Sequence, residues 1–361
     1  MLSGILRWSR LAALIWWAGT FWAFMLYGLA FVAYPTLWVP ISCTIAGMVF
    51  VILIHETGHA AAAIACGWRV LVFAVCPFGL HLPTRTITFL PRGYREDAGG
   101  FVASVPRSQA RGTRARRFII VASGPAACFV LAGAALVVRE LWLRGIDTRL
   151  LVASNFGLAI AVQACVSGLI SLLPYDGSDG EKLLVLARPD SERLLHAPCG
   201  WMATQLHYNV RLRDLPEWLI AAQRAVPHPG AEPDRHGEGI DIGRILDADR
   251  PDFARARERI DAYRTRYGGS AWLDSCDAYL AAIGEGDAAG AAARLWKGEP
   301  DPGAQSMEHA ARASVLAVQG HEAGMQAELR AMRKAVRARS PYRNATFRDI
   351  ERRIRAALRP A

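Results

Sequence analysis

From residue 11 to residue 55 the chain runs for 45 residues without a formal charge, and most of them are apolar. A helix that crosses a membrane needs about 20 predominantly apolar residues. The pattern predicts four such spans. The first covers 11–33 and is rich in Trp16, Trp17, Phe21, Trp22 and Phe24. Tyr34-Pro35 through Pro40 break it, and Trp38 stands where an interfacial aromatic belongs. The second covers 41–65. The third (118–138) and the fourth (150–175) contain no charged residue.

Between the second and third spans the pattern changes. Thr84-Arg85-Thr86-Ile87-Thr88-Phe89 alternates, and Pro77, Gly79, Pro83, Pro91 and Gly93 flank it, so short strands or a hairpin are expected within 66–117. Beyond 185 the apolar runs end. Residues 186–250 read as a connecting segment, with a flexible linker at 227–239. From 252 onward the apolar spacing predicts helices at 252–267, 271–283, 287–297, 306–319, 322–338 and 344–358. Ala278-Tyr279-Leu280-Ala281-Ala282-Ile283-Gly284 echoes Ser314-Val315-Leu316-Ala317-Val318-Gln319-Gly320 at a shift of 36 residues. That period is close to that of tetratricopeptide-like helix pairs, and a non-repeating bundle is the alternative. The expected fold class is an all-α polytopic membrane protein. It comprises a four-helix transmembrane domain (1–185) with a β-hairpin-like loop, the segment 186–250, and a soluble, possibly repeat-type helical domain (251–361).

Charge sharpens this division. The net charge is +10. Residues 1–184 hold 15 Lys+Arg against 8 Asp+Glu, or +7, which leaves 27 against 24, or +3, for 185–361. Most of the excess lies in the 66–117 loop. Cytoplasmic loops carry such an excess. Arg7, Arg10 and the Arg-rich loop therefore put both termini and that loop on the cytoplasmic side of a multi-pass membrane protein, expected in a bacterial inner membrane. No basic stripe interleaved with aromatics appears in the soluble half, so nucleic acid is not an expected partner. The seven cysteines form no C-x-x-C pair and suggest no disulfide framework. The first apolar run is too long for a signal-peptide core and no clear small-x-small cleavage site follows it, so it reads as an anchor.

The charge that ends the long apolar run belongs to His55-Glu56-Thr57-Gly58-His59. This is H-E-x-x-H. On a helix, histidines at i and i+4 share one face and can hold Zn²⁺, with the glutamate beside the metal's open position as a base for water. A chance match would leave two polar residues facing a helix bundle. Within hydrocarbon each ionisable group costs roughly 3 kcal/mol or more, which argues for a purpose. Catalytic zinc usually takes three protein ligands and a water. Asp176 and Asp179, both followed by glycine, lie at the matching end of the fourth span, where a helix-closing turn is the alternative reading. His81, His228 and His236 read as ordinary polar residues.

H-E-x-x-H in one span, Ser123-Gly124-Pro125 in the next, and Pro174 followed by Asp179-Gly180 at the end of a later one resemble the site-2 protease family of intramembrane zinc metalloproteases. The resemblance covers about residues 40–185. It implies zinc, one ion per chain, held by His55, His59 and Asp179, with Glu56 as the catalytic base; Pro174 fixes the register and leaves Asp176 outside it. Three positions depart from the family pattern. Ser171 stands where the family has an asparagine thought to hold substrate or the oxyanion, and Ser178 where it usually has leucine. Cys128 occupies a position where asparagine is common. The implied activity is cleavage of a membrane-associated or membrane-spanning protein near the cytoplasmic face. The partners expected are that substrate, the lipid bilayer, and a protein bound by the C-terminal helices. The competing reading is a non-catalytic membrane scaffold that binds partners through those helices. A zinc transporter would want polar residues along several spans, and spans one and three offer almost none.

Overall fold

The computed structural model describes residues 2–30, 37–90, 99–143, 149–188, 197–226, 235–299, 301–339 and 345–358. The chain forms two compact units, Met1–Ala197 and Pro198–Ala361.

In the first unit, four helices are long and apolar enough to cross a membrane: α1 (Leu2–Ala30), α2 (Trp38–Ala65), α3 (Arg114–Leu143) and α4 (Arg149–Leu172). The continuous apolar runs dictate them, because in lipid a helix satisfies its own backbone groups. Their large apolar side chains point outward; Leu14, Trp17, Trp22, Ile45, Val130 and Val137 are all exposed on the protein surface, as lipid contact requires. Small residues face inward. Ala23, Ala132, Ala159, Ala161 and Ala164 are buried, and a Cβ at Gly19 would strike Val166. Hydrocarbon gives apolar residues little reason to associate, so close packing through small residues takes over. One polar cluster ties three spans together. Tyr27 donates to Gln163 Oε1 (3.2 Å), and Gln163 Nε2 donates to the Thr44 carbonyl (3.0 Å).

The loop between α2 and α3 holds more structure than a hairpin. It forms a four-stranded antiparallel sheet from β1 (Trp68–Val75), β2 (Phe78–His81), β3 (Thr86–Phe89) and β4 (Gly100–Pro106), in the order β3-β2-β1-β4. The expected alternating segment is β3, at one edge. β1 escaped the period-2 pattern because it is buried on both faces; Val70, Leu71, Val72 and Ala74 are all buried. Its sequence therefore carries no alternation to mark it as a strand within the 66–117 loop. A bulge between Val70 and Val72 bends it against β4. His81 is buried in this sheet, with Nδ1 2.5 Å from the Thr84 hydroxyl.

After α4 a tight turn leads into α5 (Asp179–Ala187). Ser178 caps it, accepting the Glu181 N–H at 3.1 Å, while its own hydroxyl donates to the carbonyls of Leu173 (2.6 Å) and Tyr175 (2.7 Å). The Glu181 carboxylate returns to the Gly177 N–H at 2.9 Å, so the turn is held from both sides. At the far end, the Arg114 guanidinium of α3 donates to the carbonyls of Leu186 and, at 2.6 Å, Ala187. A cation on the last carbonyls of a helix satisfies groups that lack partners within it.

The second unit is helical: α6 (Ala197–His207), α7 (Glu217–Arg224), α8 (Arg235–Asp247), α9 (Phe253–Tyr267), α10 (Ala271–Ile283), α11 (Ala288–Arg294), α12 (Gln305–Val318), α13 (Glu322–Arg339) and α14 (Ala345–Ala356). Where a connecting segment is expected, α6 to α8 form instead; residues 227–234 of the expected linker lie outside the described residues. The glycines of α8 serve packing. A Cβ at Gly237 would meet the Arg224 side chain at 2.7 Å, and one at Gly243 would meet Leu212 at 2.7 Å. One core joins α8 to α10 with α12 to α14, through Ile242, Ile260, Leu280, Ala313, Leu329 and Ile354. The two echoing segments are α10 and α12, which share this core. The helix between them, α11, has 7 residues against 13 and 14 in its neighbours, so successive equal helix pairs do not form here. The tetratricopeptide-like expectation finds no support among the described helices.

Candidate metal centre

The buried residues of α2 make a single stripe at helical spacing: Pro40, Thr44, Gly47, Val51, His55, Glu56, His59 and Ala63. Of the elements around it, α2 packs most extensively against α3. The chemistry therefore sits on the face of α2 turned away from lipid. His55, Glu56 and His59 are 8%, 6% and 9% exposed, and Asp179 at the start of α5 is 7% exposed. These values remove the four groups from bulk solvent.

His55 Nε2 lies 3.0 Å and His59 Nε2 3.2 Å from the same atom, Asp179 Oδ2, and the two imidazole nitrogens are 3.1 Å apart. Three donor atoms thus converge on one point, from side chains 120 and 124 residues apart in sequence. Among the described residues, His55, His59 and Asp179 form a group able to hold a metal ion. Asp176 is exposed and stands outside it.

The hydrogen bonds behind these atoms say what belongs between them. His59 Nδ1 is 2.7 Å from the carbonyl of Ile120 on α3. A carbonyl only accepts, so Nδ1 carries a proton and donates it, and Nε2 of the neutral ring presents a lone pair. That lone pair faces a carboxylate oxygen and a second imidazole nitrogen, an arrangement that repels unless positive charge sits among the three. Two nitrogens and one oxygen suit Zn²⁺. Their separations are near the edge of a tetrahedron built on metal–ligand bonds of about 2.0–2.1 Å, which is about 3.3 Å. His55 Nδ1 has Cys128 Sγ at 3.5 Å, and Lys182 Nζ approaches the outer oxygen, Asp179 Oδ1, at 3.4 Å. Each ligand therefore has a second contact that orients it.

Glycines make the room. A Cβ at Gly124 would lie 2.3 Å from His59 Nε2 and 2.7 Å from His55 Nε2, so the Gly-Pro motif of α3 is where the backbone passes the imidazoles. A Cβ at Gly58, inside H-E-x-x-H, would lie 2.5 Å from the Ser123 carbonyl. One at Gly180 would lie 2.1 Å from the Leu172 carbonyl, which explains the glycine after Asp179. Over Glu56 runs the start of β4, where a Cβ at Gly100 would meet Glu56 Cγ at 2.8 Å. Ser171 turns its hydroxyl to the Gly168 carbonyl of its own helix at 2.9 Å.

Sequence reasoning does not find the Ile120 carbonyl or Lys182. A backbone acceptor leaves no mark in a sequence, whereas Lys182, three residues after Asp179, was visible as an i, i+3 pair.

Residues 43–164, which carry both histidines, Glu56 and the Gly124 stretch but end short of Asp179, match the model of peptidase family M50. No curated protein matches the chain, and no solved structure does.

Proposed function

Because residues 43–164 belong to peptidase family M50, the site-2 proteases, we propose that this membrane metalloprotease is an intramembrane zinc endopeptidase. It cleaves a membrane-associated or membrane-spanning protein near the cytoplasmic face. The convergence of His55 Nε2, His59 Nε2 and Asp179 Oδ2 on one point carries the reading. When bound there, zinc supplies Lewis acidity, polarising the scissile carbonyl and acidifying water toward a pKa of about 7.

The chain's own residues do the rest. His55, His59 and Asp179 hold the ion, and Ile120, Cys128 and Lys182 orient them. Glu56, beside His55 on the buried stripe, accepts a proton from the attacking water and returns it to the leaving amine. Burial of the whole group keeps bulk water out, which strengthens each electrostatic contact. The substrate must be unwound, since a helical backbone hides its carbonyls. The edge of β4 suits an extended segment, because its first residue packs on Glu56, whereas β3 lies at the opposite edge with β2 and β1 between. The arginine distribution supports cytoplasmic termini and an inner-membrane location.

The test is the zinc content of purified protein in detergent. Wild type and Glu56→Gln are expected to hold one equivalent, Asp176→Ala to keep it, and Asp179→Ala to lose it, with proteolysis absent in Glu56→Gln. A wild type without zinc, or an Asp179→Ala variant that keeps it, would sink the reading. The scaffold reading draws on Ser171, whose hydroxyl is engaged by its own helix. A zinc-loaded wild type that cleaves no co-expressed membrane substrate, while the C-terminal helices capture a partner, would decide in its favour.

A further inference from the structure

The charges of the helical unit are unevenly placed along the chain. Residues 185–321 hold 16 Lys+Arg against 20 Asp+Glu, or −4, whereas residues 322–361 hold 11 against 4, or +7. Pairing follows the same division. Before α13, Arg211, Arg224, Arg244, Arg257, Arg264 and Arg294 each meet a carboxylate. Most of the described cations of α13 do not.

Helical spacing gives α13 two opposed faces. Met325, Leu329 and Met332 are buried in the core at i, i+4 and i+7. Arg330, Lys334 and Arg337 repeat that spacing on the other side and are exposed. Among the described residues, no carboxylate pairs with any of the three. The acidic groups nearby are engaged elsewhere. Glu328 meets His309 Nδ1 at 2.7 Å, and Glu351 of α14 is held by Arg333 (3.2 Å) and Arg355 (2.8 Å). Beyond Glu322 the other exposed positions of α13 are Ala323, Ala327 and Ala338. Like charges at i, i+4 weaken a helix, so a stripe of one sign costs stability that a mixed stripe would not. α9 shows the mixed pattern, with exposed Arg255 and Arg259 standing among exposed Glu258 and Asp261.

We propose that the Arg330–Lys334–Arg337 stripe docks on the surface of an anionic bilayer, through the phosphate groups of acidic phospholipids. The membrane is the partner always at hand, because four apolar helices hold this chain in it. Clustered Lys and Arg on an amphipathic helix are attracted to an anionic leaflet, each cation strengthening the attachment by about fivefold. The alanines between them offer no large apolar group to insert, so the helix stays at the headgroups and is held by charge alone. Nucleic acid also carries phosphates, but α13 has no aromatic residue on which a base could stack. The inference does not depend on the peptidase reading, because no residue of the metal centre takes part.

The lysines of the chain are Lys182, Lys297 and Lys334, so a water-soluble amine-acetylating reagent, read by peptide mass spectrometry, reports on the stripe and carries its own control. Full-length protein is placed in nanodiscs of phosphatidylcholine, either alone or with about one third phosphatidylglycerol. Discs leave both bilayer faces open to the reagent. At low salt Lys334 should react at least about fivefold more slowly in the anionic discs, and molar salt should abolish the difference. Lys297, exposed in the same unit, should react alike in both. Arg330→Gln/Arg337→Gln should weaken the attachment about 25-fold and return Lys334 to its rate in neutral discs. Arg255→Gln/Arg259→Gln, the same loss of charge from α9, should leave the protection in place. Equal rates at Lys334 in the two discs, equal slowing of Lys297, protection that survives salt or the α13 substitutions, or its loss in the α9 variant each overturns the proposal. Protection of Lys334 by an RNA oligonucleotide in detergent, with none in anionic discs, would assign the stripe to nucleic acid and overturn it as well.

Discussion

Gly124 is the residue whose replacement tests the metal centre most directly. It carries no side chain because two imidazole nitrogens occupy the place of one. Gly124→Ala would push a methyl group to 2.3 Å from His59 Nε2, and the ring cannot yield without leaving the Ile120 carbonyl. Zinc affinity is expected to fall by about 100-fold or more, read by competition with a chromogenic chelator, while the helix content stays that of wild type. An alanine variant that binds zinc normally would show that the imidazoles sit elsewhere in the working protein. At this scale much of the centre was legible. H-E-x-x-H announces itself, because histidines four apart and a glutamate have no cheap alternative inside an apolar run. Asp179 could not be separated from Asp176 by composition, since both precede glycine; a family register was needed to choose. The Ile120 carbonyl belongs to the backbone and was invisible.

Among the elements, the turn into α5 and the two sheet edges decide most. Ser178→Ala removes the cap that fixes Asp179 as the first residue of its helix. The expected cost is about 1 kcal/mol, seen as about fivefold weaker zinc retention. The sheet offers a second test. The Cys76 N–H donates to the Gly99 carbonyl, so alternation turns the Val102 N–H toward the edge of β4 away from β1, which no described strand pairs. The Leu90 N–H donates to the Pro77 carbonyl, so the Ile87 N–H faces the edge of β3 away from β2, which no described strand pairs. If substrate pairs with β4, Val102→Pro abolishes cleavage with the sheet intact, and Ile87→Pro leaves it near wild type; the reverse result would move the substrate to the other edge. The helices from 253 onward followed their sequence closely, because Asp252, Ser270 and Asp287 each cap the N–H three residues on. The sheet and α6 to α8 did not. A strand buried on both faces loses its alternation, and glycines placed for close packing look like a linker.

For the molecule as a whole, two units are stabilised by different means. The membrane unit relies on small residues and the Tyr27–Gln163–Thr44 cluster. The helical unit relies on an apolar core threaded by ion pairs. Asp277 is fully buried and meets Arg257, Arg264 (2.7 Å) and Arg294 (3.5 Å). Removing its charge leaves three guanidinium groups without their common partner. Asp277→Ala is expected to destabilise the helical unit by about 3–5 kcal/mol, measured by urea unfolding, with zinc content unchanged. A zinc loss in that variant would mean that the two units do not fold independently.

The distance along the chain between His55 and Asp179 sets an order of events during synthesis. When the two histidines have left the ribosome, 120 residues separate the second of them from the last donor atom. Two further membrane helices and the sheet must be made in that interval. Throughout it the nascent chain holds two of the three donor side chains, so the proposed cleavage of membrane proteins has no complete centre to act from. On the proposed function, translation order itself delays activity until Asp179 joins the two histidines.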